Sequence, residues 1–286
     1  MNKMFRKVIQ LLRYRFFLTS GLLPYLLGSA IGYHVMRSFN ASNFILGILG
    51  IFMLLGTVES FNEYFDPADR VFMLDNEKSK PPLKWLLFGI VSLVIASLIA
   101  LYFTLTIGYI VLLISLLGVI LAVFYVGPPL RLAFRGFGEL AIFLAYGPFM
   151  TLGAFLLQTY SISFTPIIPS IITGIVIVSL DLANEIPDYY QDKLSGKNTI
   201  TVRIGVNNSR KLIFYLILLS FIFLVLGVIL FSMPEFSLLY LALLPIIIKS
   251  VPKRNYEETM QYIPLIKTLA VTYTLVNVIF IVSYIL

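Results

Sequence analysis

Long apolar runs separated by short polar connections dominate the chain. Nine such runs lie at about 14–35, 43–62, 84–103, 107–126, 138–157, 166–187, 211–231, 236–249 and 262–285. Most approach the roughly 20 residues a helix needs to cross a hydrocarbon core of about 30 Å. The alternating segments of about 10 residues that mark the strands of a membrane barrel are missing, so helices are expected. The predicted fold is an all-α integral membrane protein, a bundle of nine transmembrane helices forming one domain over residues 1–286. The eighth run is short and contains Pro245, so it is expected to be tilted, broken or partly interfacial.

Composition sharpens this reading. Of 286 residues, 59% are hydrophobic and only 12% charged, about half the charged fraction usual for a soluble domain. Five basic residues near the start, Lys3, Arg6, Lys7, Arg13 and Arg15, lead into the first run without a clear small-residue cleavage site, so a cleaved leader is not expected. With no cysteine, disulfides and thiolate metal ligands are excluded. The net charge of +7 suggests nucleic acid only until its placement is considered. When the connections are numbered alternately, 20 of the 21 Lys and Arg fall on one side and Arg37 alone on the other. The positive-inside bias then predicts a multi-pass protein of the cell membrane, with its N-terminus and long polar connections cytoplasmic and its C-terminus outside.

Against so few charges, the acids are concentrated. Glu59, Asn62, Glu63 and Asp66 share one helical face at the end of the second run, followed by Asp69, Asp75 and Glu77. Asp181, Glu185, Asp188 and Asp192 fall at relative positions 0, 4, 7 and 11, again one stripe of a helix. Ten of the fourteen carboxylates belong to these two clusters. Each is expected to begin inside the end of a span and continue into a loop on the cytoplasmic side. The two units are four spans apart, which suggests two related halves plus an extra helix.

Ionisable groups at membrane depth are costly and usually functional. Oxygen-only ligands, with a single histidine in the chain, favour Mg²⁺ or Mn²⁺ over zinc. Two facing clusters could hold two such ions with a diphosphate between them. Lys197, Arg203, Arg131, Arg135 and Arg70 could take up the remaining phosphate charge. The competing reading is that acids at helix ends are simply solvated, as expected for Asp75, Glu77, Glu257 and Glu258. Asp181 and Glu185 could equally pair with a neighbouring helix or an arginine. His34 reads as a packing residue and Trp85 as an interfacial anchor.

The motifs Asn62-Glu63-Tyr64-Phe65-Asp66 and Asp188-Tyr189-Tyr190-Gln191-Asp192 resemble those of the UbiA superfamily of intramembrane prenyltransferases. Asn184, Lys193, Gly196, Lys197, Thr199, Arg203 and Gly205 extend the second motif. With Tyr125-Val126-Gly127-Pro128-Pro129, Gly136-Phe137-Gly138-Glu139 and Leu23-Pro24-Tyr25-Leu26-Leu27-Gly28, they are most similar to the branch that prenylates 1,4-dihydroxy-2-naphthoate in menaquinone synthesis. The resemblance implies a nine-helix bundle that moves a polyprenyl group from its diphosphate to an aromatic acceptor. It implies metal ligands at Asn62, Asp66, Asp188 and Asp192, with Asp66, Asp188 and Asp192 central to catalysis. Lys197, Arg131, Arg203, Arg70, Tyr125 and Asn184 are the expected substrate contacts; Tyr125, Tyr146 and Tyr64, near cytoplasmic span ends, are candidate aromatic faces beside the reacting carbon, with ordinary packing as the competing reading. The chain departs from the motif in two places: Glu63 replaces the usual Asp, and Arg70 occupies the position of a third Asp, with Asp69 one residue before it. Partners are the prenyl diphosphate, the acceptor and the bilayer; neither nucleic acid nor an obligate protein partner is expected. Rival readings are a related enzyme acting on a hydroxybenzoate, haem, chlorophyllide or a glycerol-phosphate lipid, and a divalent-cation transporter. A CDP-alcohol phosphotransferase would need a D-G-x-x-A-R signature, which this chain lacks.

Overall fold

The computed structural model describes residues 3–65, 83–252 and 259–286, with the backbone alone for 3–19 and 259–260. Helices α1 (Lys3–Met36), α2 (Ala41–Phe65), α3 (Leu83–Ile107) and α4 (Tyr109–Phe124) come first. Helix α5 runs from Gly138 to Thr159 and α6 from Ile167 to Ser195. A short α7 (Ile200–Ile204) leads into α8 (Val206–Leu230), α9 (Leu244–Ser250) and α10 (Ile263–Ile285). No strand occurs among the described residues. Among the described residues, six helices, α2, α3, α5, α6, α8 and α10, are long and apolar enough to cross a membrane, and α4 is a shorter apolar helix.

Burial ranks these helices. In α6, 72% of the most apolar stretch is buried, against 28% in α2 and α3, so α6 is the axis and the others present a wide face to lipid. The main core gathers Ile172, Val176, Leu180 and Ile186 of α6 against Ile213, Ile217 and Leu224 of α8 and Leu269, Tyr273 and Val276 of α10. Lipid is as apolar as these side chains, so close approach and packing hold such helices together. Small residues permit that approach. A Cβ at Gly147 of α5 would lie 2.6 Å from the Ser170 carbonyl oxygen and 2.8 Å from the Gly174 Cα of α6.

Two elements differ from the hydropathy reading, and a third follows it. Helix α6 passes through Pro187 and continues to Ser195, so Asp188 and Asp192 lie on the helix and not in a loop. Gly196, at φ 77°, then ends it, the left-handed position that favours glycine. Helix α5 contains a π turn over Ala145–Phe149, around Pro148. The eighth run is divided as Pro245 suggested: a 3₁₀ segment, Glu235–Leu243, precedes the short α9.

Candidate active site

The last turns of α2 and the second half of α6 face the same end of the bundle. Tyr146, in the π turn of α5, lies within electrostatic reach of both Glu59 on α2 and Asp181 on α6. Tyr125, just past α4, is similarly close to Asp181 and Glu185 of α6 and Glu139 of α5. Asp181 is in range of Glu139, Lys197 and Asp192. The two acidic stripes therefore converge around two phenol rings. Asn62, one turn beyond Glu59, is buried, and its Oδ1 has no hydrogen-bond partner among the described residues.

Cations stand at the edge of this cluster. Lys197 Nζ is 3.8 Å from the buried Asp192 carboxylate. The same ammonium lies 6.0 Å from the Phe134 ring centroid, and the Arg131 guanidinium lies 5.9 Å from it. One ring thus holds two cations near each other, since a cation is attracted to an aromatic face at about this range. Asp188 is exposed, four residues before Asp192 on α6, so both present oxygens from adjacent turns.

The connection from 196 to 205 is fastened to the turn between α4 and α5. Thr199 caps α7, its hydroxyl accepting from Val202 N at 3.2 Å. Two buried or half-buried carboxylates receive the next amides: Glu139 accepts from Ile200 N at 2.5 Å and Glu185 from Thr201 N at 3.1 Å. Asn198 N donates to the Phe134 carbonyl at 3.2 Å. The Arg203 guanidinium donates to the carbonyls of Arg135 and Asn198 and lies over Gly136, where a Cβ would overlap it. Arg203 is thus engaged with backbone, and its place is in the fastening.

Below Tyr125 and Tyr146, between α2, α3, α4 and α5, lies an apolar cavity of about 200 Å³. Val58, Leu54, Gly118, Ile142 and Gly153 line its length, and Tyr25, Phe103 and Leu157 its far end. A second cavity, of about 30 Å³, adjoins Tyr146 and is lined by Ser20, Asp181 and Asn184.

Of the residues expected from sequence, Asn62, Asp188, Asp192, Lys197, Arg131, Tyr125 and Asn184 all belong to this end of the bundle. Asp66, Asp69 and Arg70 lie outside the described residues. Among the described residues, no three acidic or histidine side chains are grouped closely enough to hold a metal ion alone. Sequence reasoning gave Glu139 and Phe134 no role of their own. Glu139 was detectable as one more acid at the start of a span, whereas nothing in the sequence marks Phe134.

Comparison with known proteins bears on the family and the fold. Residues 21–258 match the UbiA prenyltransferase family. The chain is 26% identical over 196 residues, 66% of its length, to the 1,4-dihydroxy-2-naphthoate octaprenyltransferase of Bacillus subtilis (strain 168). That match spans 63% of the Bacillus protein. A 2-carboxy-1,4-naphthoquinone phytyltransferase of Synechocystis sp. (strain ATCC 27184 / PCC 6803 / Kazusa) is 25% identical over 240 residues, 79% of this chain and 76% of the relative. Among solved structures, a UbiA homolog from Archaeoglobus fulgidus bound to DMAPP and Mg²⁺ superposes with a TM-score of 0.59, at 14% identity and 95% coverage of both chains. That likeness shows the fold.

Proposed function

The chain belongs to the UbiA prenyltransferase family, and from that premise we propose that it transfers a polyprenyl group from a prenyl diphosphate to 1,4-dihydroxy-2-naphthoate. The observation that carries the reading is the convergence of the acidic faces of α2 and α6 at the mouth of an apolar cavity. A diphosphate needs the first and an isoprenoid tail the second.

The donor oxygens suit magnesium. Asn62, with its unpartnered buried oxygen, would hold the metal together with Asp66, Asp188 and Asp192. Mg²⁺ held by these residues would supply positive charge to offset that growing on the departing diphosphate. Two ions, or Mn²⁺ in their place, suit the same ligands. That the Archaeoglobus homolog is bound to DMAPP and Mg²⁺ supports magnesium in general.

The chain's own groups do the rest. Lys197 and Arg131, flanking Phe134, bind the diphosphate oxygens as they gain charge; Arg70 is a further candidate. Arg203 holds the connection above the site. The faces of Tyr125 and Tyr146 stabilise the allylic cation left when the C–O bond breaks, each by roughly 0.5–2 kcal/mol. Lipid-facing helices exclude water, so the cation survives until an electron-rich ring carbon attacks it. When the attacking carbon of a dihydroxynaphthoate is the one that bears the carboxylate, breaking its bond to that group releases CO₂ and returns the electron pair to the ring, which restores aromaticity. Asn184, beside Asp181 in the small cavity, is placed to orient an acceptor hydroxyl. The acceptor assignment follows the names of the Bacillus and Synechocystis relatives. The reading also takes the bundle as nine transmembrane helices in one domain of the cell membrane, with the site cytoplasmic.

The test is purified protein in lipid nanodiscs with Mg²⁺, labelled prenyl diphosphate and a panel of acceptors. Prenylated naphthol is the expected product. Turnover of a hydroxybenzoate or glycerol phosphate, with dihydroxynaphthoate untouched, would overturn the acceptor. No transfer to any acceptor, together with Mg²⁺ flux into liposomes, would replace the enzyme by a transporter.

A further inference from the structure

The apolar cavity has a defined depth. It is bounded at one end by Tyr125 and Tyr146 and at the other by Tyr25, Phe103 and Leu157. On α2 its wall runs from Gly47 to Val58, eleven steps, or about 17 Å at the rise of an α-helix. On α4 it runs from Val111 to Ala122, again eleven steps and about 17 Å, with Tyr125 just above. An extended isoprene unit adds about 5 Å: four carbon–carbon bonds of roughly 1.5 Å, foreshortened by their zigzag. Between the phenol rings and the floor there is length for about four units.

The floor is firm where the middle is roomy. Tyr25 is buried at 1% exposure, and its hydroxyl donates to the Phe44 carbonyl at 2.8 Å, fixing the ring across the end. Gly47 backs it so closely that a Cβ there would overlap the Tyr25 hydroxyl and lie 2.7 Å from Leu157 Cδ1. Midway up, a Cβ on Gly118 would meet only Leu54 at 3.9 Å, and one on Gly153 only Ile114 at 3.9 Å. These two glycines leave the bore open, whereas Gly47 lets the floor close.

We infer that Tyr25 sets the length of prenyl tail that the cavity holds, about four isoprene units counted from the reacting carbon. The inference rests on the prenyltransferase reading and names the donor that reading leaves open. A tail is already in apolar surroundings while in lipid, so entering the cavity gains packing and not a hydrophobic driving force. A short tail leaves the floor uncovered. A long one must bend out toward lipid and give up its fit.

Binding of labelled prenyl diphosphates tests this without an acceptor. Full-length protein in nanodiscs with Mg²⁺ is titrated with geranyl, farnesyl, geranylgeranyl and octaprenyl diphosphates. Affinity is expected to peak at geranylgeranyl. Tyr25→Ala should move the peak to longer tails by about tenfold in relative Kd, the scale of opening a side-chain-sized cavity. Gly118→Leu, which fills the middle and leaves the floor untouched, should move it to geranyl; this arm stands even if Tyr25→Ala fails to fold. Equal affinity for all four tails, a folded Tyr25→Ala whose peak stays at geranylgeranyl, or a Gly118→Leu peak that does not move, overturns the inference and leaves the enzyme intact. Failure of every prenyl diphosphate to bind overturns the underlying reading instead.

Discussion

Asp192 and Lys197 carry the balance of charge at the site. A buried carboxylate 3.8 Å from one ammonium is partly compensated in the resting protein, and the same ammonium is the proposed diphosphate contact. Lys197→Ala should raise the donor KM by roughly tenfold or more, the scale of one lost charge-assisted contact, and leave the acceptor KM unchanged; steady-state kinetics with each substrate varied in turn checks it. Asp192→Asn keeps the shape and removes the charge. It should lower kcat by about two orders of magnitude or more with little change in melting temperature, measured on the same preparation. Asn62, Asp188 and Asp192 stand out as candidates in the sequence because polar groups are rare in it and these fall at helical spacing, and Lys197 because it follows them closely. Phe134 could not, because one phenylalanine among 24 has no signal of its own; its role comes from two cations reaching it from separate connections.

At the scale of elements, packing between α5 and α6 fixes the distance between Tyr146 and Asp181. Gly147 faces backbone atoms of Ser170 and Gly174, which cannot swing aside as a side chain does. Gly147→Ala should push the helices apart and cost about 1–3 kcal/mol, seen as a lower thermal midpoint in detergent. Hydropathy located these helices but misplaced some of their ends. The sixth span is predicted to stop near 187 because charges begin there. A helix ends where its hydrogen bonds end, and those of α6 continue past Pro187 to Gly196. The π turn of α5 was likewise invisible, since apolarity does not report which carbonyl each amide meets. Pro245, by contrast, did announce the break in the eighth run, because a proline takes a backbone donor out of the helix.

For the whole molecule, the expected placement has the acidic end in the cytoplasm and the α1–α2 turn outside. The chain contains no cysteine, so single cysteines report cleanly. A membrane-impermeant maleimide should label Asn198→Cys in inside-out vesicles and Ser38→Cys in right-side-out ones, both positions being exposed; the reverse pattern would invert the topology. Chelation with EDTA should abolish prenyl transfer, and Mg²⁺ should restore it, followed by product chromatography. The exposed leucines of α3 and α4, such as Leu98, Leu105 and Leu113, suit lipid, which allows the interior to keep its room for a substrate and not for its own side chains.

The widened turn at Ala145–Phe149 ties the two ends of α5 together by an arithmetic of rotation. Such a turn is an ordinary helix carrying one surplus residue, and each residue turns a helix by about 100°. Excising one would let α5 relax into a uniform coil, with its lower half still seated against α1 and its upper half swung a quarter-circle or more. Glu139 would then point away from Ile200 and Tyr146 away from the acids. The irregularity is the phase shift that lets one helix serve a greasy channel below and a charged chamber above.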